Sequence, residues 1–447
     1  MADRLHNNLE LIRTLIQRAP DKAVRELEAA LGGDMGGTAL SGVRSMVDAE
    51  VLDRMARDVV LAPLKPMFGS RADGLDQLTF PRTALPALWR AMKAAHPDEA
   101  AAAAAVAGLR AEEGVFPEIY DTLCALAGAA LRERATADYA ALAEQLESTS
   151  PGGSDQMAGC LELTRLARPA VARLAEWLQR MTEERAATVR LAYKDAVEIA
   201  HDGGPRLFEI LFSNLSEPWM VLRLITAVMV RPVDNYVSAS ELAIFGERLL
   251  ADIDRRLEII REFNLDGGVE AGKAAAAHIR LIGQEIDEFE RSLNLGREGP
   301  WGARLNKAKG ALAKTVEGLL KKTAEVLAAA LPMAPVRIGG RIARHAAKLD
   351  VPPDPGAIAR ARSILTLIDQ VRSAAVNGGY NSLRLKTIEE IEARLGSQVE
   401  ELLDALHNGG AEEIPNARLY LEEVADLMGR VRDDKAAQIV RRRAAAA

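Results

Sequence analysis

Apolar residues recur at spacings of three and four along almost the whole chain, with hardly any strict alternation of apolar and polar positions. That period predicts helices and argues against half-buried strands. Breakers at Pro20, the Gly32 to Gly37 cluster, Pro81, Pro97, Pro151-Gly152-Gly153, Gly203-Gly204-Pro205, Gly267-Gly268, Gly299-Pro300 and Gly378-Gly379 divide the pattern. About fifteen helices result. The predicted fold class is all-α: a multi-helix array of irregular-solenoid type, followed by antiparallel bundles of long helices. The expected organisation is a short-helix region over 1–150, a helical array over 151–235, a three-helix bundle over 236–331, a linker over 332–357 and a C-terminal bundle over 358–447.

Within this frame, Arg168 to His201 reads as one continuous buried stripe, with Pro169 suited to a first helical turn. Residues 205–230 read as a pair of helices: Leu207, Ile210, Leu211 and Leu215 mark the first, Ser216 is a candidate N-cap, Pro218 opens the second, and Arg223 interrupts its apolar run. On that spacing the pair resembles one HEAT-type repeat, with no copy at a fixed period elsewhere. Ser238-Ala239-Ser240-Glu241 has capping-box spacing ahead of a helix to about Asn264. Ile279, Ile282, Ile286, Phe289 and Leu293 then form a heptad seam of coiled-coil type. A third helix covers Ala303 to Leu331, and the Pro- and Gly-rich stretch from Pro332 to Gly356 reads as a boundary. Three long helices follow, with Thr387 at capping-box spacing inside the second pattern and a tail, Arg441 to Ala447, expected to fray.

Composition narrows the class. The chain has 447 residues, enough for two to four domains with their own cores. Its apolar half is dominated by Ala and Leu, and only 18 residues are Phe, Trp or Tyr. That favours helix, and the Ala/Leu/Arg bias suggests a bacterial source of high genomic GC content. Cys124 and Cys160 leave neither a disulfide framework nor a four-thiolate metal site, so a cytoplasmic location is the simplest expectation. The N-terminal run has no signal-peptide core, and the longest apolar stretch, Trp219 to Val230, is too short for a span. The run Ala100 to Ala105 is read as a strong helix former rather than a docking surface.

Candidate chemistry is sparse. The histidines, His6, His96, His201, His278, His345 and His407, lie far apart, with no metal-ligand spacing within a helix turn. His201 and His407 suit helix C-termini. The glycine pairs match no phosphate cradle, although Gly339-Gly340 between Arg337 and Arg341 leaves an anion site open. Acidic pairs such as Glu389-Glu390, Glu400-Glu401, Glu412-Glu413 and Asp433-Asp434 read as solvated faces rather than catalytic pairs, because neighbours on a helix diverge. No cofactor, metal or catalytic residue is assigned.

One segment departs from the acidic average of −7. Trp301 to Asp350 carries ten basic residues, Arg304, Lys307, Lys309, Lys314, Lys321, Lys322, Arg337, Arg341, Arg344 and Lys348, against Glu317, Glu325 and Asp350. Lys307, Lys314 and Lys321 are seven apart and so share a helix face opposite the leucines. The segment is either a solvated face, one neutralised by the acidic C-terminal helices, or a binding surface. The expected function is a non-enzymatic cytoplasmic scaffold or adaptor for protein partners, with homo-oligomerisation through residual seams. The alternative is binding to an anionic membrane or nucleic acid through 301–350; an enzyme assembled only in three dimensions ranks below both. The absence of any aromatic beyond Trp301 weighs against single-strand binding.

Overall fold

The computed structural model describes residues 2–31, 38–107, 116–338, 341–377, 380–410 and 412–447. It is 79% helical, with 21 helices and almost no strand, an all-α multi-helix protein. The chain separates into two compact units, 1–231 and 232–447.

The first unit holds α1 (Ala2–Arg18), α2 (Asp21–Leu31), α3 (Thr38–Val60), α4 (Ala84–Ala95), α5 (Pro97–Ala107), α6 (Glu118–Glu133), α7 (Ala137–Thr149), α8 (Gly153–Glu162), α9 (Thr164–Gln179), α10 (Glu183–Ile199), α11 (Gly203–Ser213) and α12 (Val221–Val228). The long stripe expected from Arg168 to His201 is two helices. Thr182 breaks it by accepting from the Arg185 amide and so capping α10. Because α9 starts at Thr164, Pro169 falls in its second turn rather than its first. In the pair at 205–230, α11 packs on α8, α9 and α10, and α12 packs mainly on α10, rather than chiefly on each other. Ser216 makes no cap there either; Glu217 occupies the position before Pro218, with no side-chain bond. The alanine run forms α5, which buries Ala100 and Ala103.

The second unit holds α13 (Asp234–Val237), α14 (Ala243–Arg261), α15 (Gly268–Ser292), α16 (Pro300–Ala330), β1 (Met333–Ile338), β2 (Arg341–Ala347), α17 (Pro355–Gln370), α18 (Arg372–Asn377), α19 (Asn381–Asn408), α20 (Glu413–Val431) and α21 (Asp434–Ala446). The expected linker therefore contains an antiparallel hairpin, with Met333 opposite Ala347. Beyond it, α17 packs mainly on α15 and α16, so the residues on either side of 332–357 share one core. All of Ser363 to Ile368 is buried, the signature of a helix covered on every side. The heptad seam of α15 is also buried. Gly272 permits the crossing with α17: a Cβ there would lie 2.2 Å from the Ser363 carbonyl oxygen.

Local chemistry corrects other expectations. The Ser238 and Ser240 hydroxyls donate backwards to the Asp234 and Val237 carbonyls, so no capping box forms, and α14 starts at Ala243 without a side-chain cap. Thr387 lies inside α19 and donates to the Leu383 carbonyl. The tail is helical to Ala446, held by Arg441 on Glu422 and Arg443 on Glu400, both at 2.7 Å.

Buried arginines close the helix C-termini. Arg168, 5% exposed, donates to Asp121 at 2.9 Å and to the Val59 and Val60 carbonyls at 3.0 and 2.7 Å. It thereby ties α9 and α6 to the end of α3. Arg168→Ala leaves the Asp121 carboxylate without its cation and takes one donor from each carbonyl, and is expected to cost about 3–5 kcal/mol. Urea unfolding of the first unit, followed through Trp89, Trp177 and Trp219, measures it; a loss below about 1 kcal/mol would contradict this role.

Candidate interaction face

The basic segment of the sequence begins on α16, and the structure shows what fixes that helix. Pro300 occupies its first turn, where its missing N–H costs nothing. The next amides are capped from a distance: Asp234, 1% exposed, accepts from the Trp301 N–H at 3.1 Å and the Gly302 N–H at 2.9 Å. A buried carboxylate at a helix N-terminus meets both the orphan donors and the positive end of the dipole. Asp234 is held there because Asn294 exchanges backbone hydrogen bonds with the 232–234 segment, at 2.9 and 3.2 Å. Glycine is required at 302, since a Cβ would come within 1.9 Å of the Gly296 carbonyl oxygen. The Trp301 ring is fully buried, edge-on to Phe289 at 5.7 Å, and its indole N–H donates to Glu247 at 2.6 Å. It is not available to stack a base.

This anchoring turns Leu305, Leu312, Val316, Leu319, Leu320 and Leu327 into the core. The opposite face carries the lysines. Of the ten basic residues, Arg304 and Lys309 are neutralised within the unit: Arg304 pairs with Glu247 at 2.6 Å and Asp254 at 3.2 Å on α14, and Lys309 pairs with Glu290 on α15. Lys348 lies 3.7 Å from Asp350, both in water. Arg337, Arg341 and Arg344 are on the hairpin, but their side chains, like the Gly339-Gly340 anion site, lie outside the described residues. Lys307, Lys314, Lys321 and Lys322 are exposed, and no described carboxylate comes within 4 Å of them. Neutralisation by the acidic C-terminal helices does not reach these four.

Their spacing has an electrostatic consequence. Seven residues of helix advance about 10.5 Å, slightly beyond the screening length of roughly 8 Å at physiological salt. The lysines therefore tolerate one another while their fields add towards solvent. Glu317, half-buried, and Glu325, exposed, share this side of the helix, so its charge is mixed with a positive excess.

One cluster of ionisable groups elsewhere is committed to the interior. Asp252, Arg256 and Glu285 are 3%, 5% and 2% exposed, between α14 and α15. Arg256 donates to Asp252 at 2.5 Å and approaches Glu285 at 4.0 Å, and its other arm reaches His278 Nδ1 at 3.2 Å. Burial, then the neighbouring Asp252 carboxylate, pushes the Glu285 carboxyl well above the usual range; burial and Arg256 push the His278 imidazole down. Cys124 and Cys160 are free and buried, and burial raises both thiols to about 12, leaving no thiolate nucleophile at neutral pH. Among the described residues no group of three or more His, Cys, Asp or Glu side chains could hold a metal. No helix among them is long and apolar enough to cross a membrane.

The lysine face was legible in the sequence through its period. The buried carboxyl pair and the remote Asp234 cap were not, because each joins residues more than 30 positions apart. Compared with protein-family models, curated proteins and solved structures, the chain matches none of them.

Because the folded Glu285 holds its proton at higher pH than an unfolded Glu, its contribution is complete below the ordinary value of about 4.3 and is lost as pH rises through the raised one. Glu285→Gln removes that ionisation. Wild type is expected to lose stability relative to the variant as pH is raised from about 5 to 9. Urea unfolding followed through Trp301 reads it; a difference that stays constant with pH would refute the assignment.

Proposed function

We propose that this chain is a non-catalytic, all-helical adaptor whose α16 face docks an acidic protein surface. The observation that carries the reading is the set of exposed lysines, Lys307, Lys314, Lys321 and Lys322, left without carboxylate partners beside Arg304 and Lys309, which have them. Lysines on a rigid scaffold steer an oppositely charged partner and fix its register. The helix under them is held at its N-terminus by Asp234 and along its length by a leucine core, so the face is pre-formed. A non-catalytic reading is supported by where the strongest titratable cluster lies: Asp252, Arg256 and Glu285 are buried against one another between helices.

A protein surface suits the face better than a bilayer or a nucleic acid. The small exposed residues on the lysine side of α16, Ala303, Gly310 and Gly318, offer nothing to insert among lipid chains, and Trp301 is buried. The carboxylates Glu317 and Glu325 oppose a uniformly anionic surface, whereas a protein partner can match them with a cation.

The test is affinity purification from the native host, without a lysine-directed crosslinker, of wild type and of a Lys307→Glu/Lys314→Glu/Lys321→Glu variant. The variant should fold, since exposed substitutions of this kind each change stability by about 0.5 kcal/mol or less. An acidic partner that binds the wild type directly when purified and is lost from the variant is the expected outcome. Equal recovery by both forms would move docking to another face and overturn the proposal.

A further inference from the structure

We infer that the occupant of this face is an α-helix whose carboxylates repeat every seven residues, laid along α16 from Lys307 to Lys321. The inference rests on the acidic-partner reading and adds the shape of the partner.

The chain shows the pairing within itself. Glu247 and Asp254 are seven apart on α14, stand exposed, and converge on Arg304 at 2.6 and 3.2 Å. Two carboxylates at heptad spacing on a helix beside α16 thus reach a cation of α16, here the single guanidinium of Arg304. Further along, Lys307, Lys314 and Lys321 stand at heptad spacing of their own, and among the described residues no carboxylate of another helix pairs with them. The three lysines span about 21 Å, four helical turns. A seven-residue repeat drifts by only about 20° per heptad, so one straight partner helix keeps all three in reach.

The relief between the lysines agrees with a helix. Gly310 and Gly318 are flanked by Lys307, Lys314 and Lys321, and among the described residues, apart from the local helix backbone and chain neighbours, nothing lies within 4 Å of where a Cβ would stand at either. A partner backbone can come close to α16 there while its carboxylates reach the lysine tips. Glu325, eighteen residues from Lys307 and so five turns along the same line, asks for a basic residue on the partner at that end.

The experiment uses the full chain and an alanine-rich helical peptide of about 28 residues with Glu at one heptad position. A control peptide has the same composition with the Glu residues distributed around the helix. Anisotropy titrations at about 50 and about 200 mM salt are expected to show the heptad peptide binding about tenfold tighter than the control, with binding weakened by salt. The Lys307→Glu/Lys314→Glu/Lys321→Glu variant is expected to abolish it. Gly310→Leu/Gly318→Leu raises helix propensity and so keeps the fold, yet is expected to weaken the heptad peptide about tenfold by blocking close approach. Equal binding of the two peptides, or indifference to the glycine substitutions, would overturn the helical occupant and leave the acidic-partner reading standing. Failure of both peptides alongside tight binding to phosphatidylserine vesicles or duplex DNA through the same lysines would overturn both.

Discussion

A protein with 21 helices among its described residues must satisfy the last carbonyls of each, and that constraint organises this one. Glycine in the left-handed conformation is the common solution, yet of the positive-φ glycines among the described residues, Gly69, Gly74, Gly152 and Gly268, none caps an α-helix C-terminus; Gly268 closes only the short 3-10 turn Leu265–Gly267. Arginines from other parts of the chain close many of the ends instead. Arg54 reaches the Ile16 carbonyl at the end of α1, Arg168 the end of α3, and Arg223 the Leu178 carbonyl at the end of α9. Arg71 reaches Phe212 at the end of α11, Arg190 reaches Ala227 near the end of α12, and Arg384 reaches Ile368 near the end of α17. A guanidinium suits this task because its several donors can serve carbonyls and a carboxylate together, as Arg168 does, and its charge complements the dipole. Each such bond also fixes one helix against another, so capping and tertiary packing are the same interaction.

The consequence is a division of labour among the cations. Arginines are drawn inward to helix ends and carboxylates, whereas a lysine ammonium, more strongly hydrated, stays in water unless a carboxylate meets it. On α16 the core decides which way the lysines face. α17, buried on every side, takes up the leucine face of α16 together with α14 and α19, and the Asp234 cap fixes the N-terminal end. No rotation of α16 can hide its lysines without exposing Leu305, Leu312 and Val316, at a cost of roughly 1.5–3 kcal/mol each. The outward face is thus set by the apolar half of the same helix.

This explains what could be read in the sequence. Helices, the buried seam of α15 and the lysine stripe all follow from period, which is a property of neighbouring residues. The hairpin at 333–347 was missed because Pro332, Pro335 and the glycine pair signalled only irregularity, and a two-stranded ribbon needs few alternating positions to show itself. The capping box at Ser238 failed because its hydroxyls found carbonyls of the preceding turn first. The place of α17 was hidden for another reason: its apolar stripe at Ile358, Ala361, Leu365, Ile368 and Val371 could be read, but its partners α15 and α16 lie across the apparent linker. Nothing in the local pattern marks Asp252 and Glu285, and only the antiparallel course of α14 and α15 brings them together.

The energetics of the lysine face then limit what it can do. Exposed ion pairs are worth about 0.2–1 kcal/mol each, so three or four of them supply at most about 4 kcal/mol. A micromolar complex needs about 8 kcal/mol after the cost of association is met. Charge on α16 therefore selects and orients a partner without holding it. The remainder must come from contact area, and on this face area is available only where the lysine stems and the bare backbone at Gly310 and Gly318 meet another surface closely. Flexible acidic chains satisfy the charge and forfeit the area, paying ordering entropy as well. A preformed helix satisfies both, which is why the register of the lysines and the open glycine positions belong to one argument.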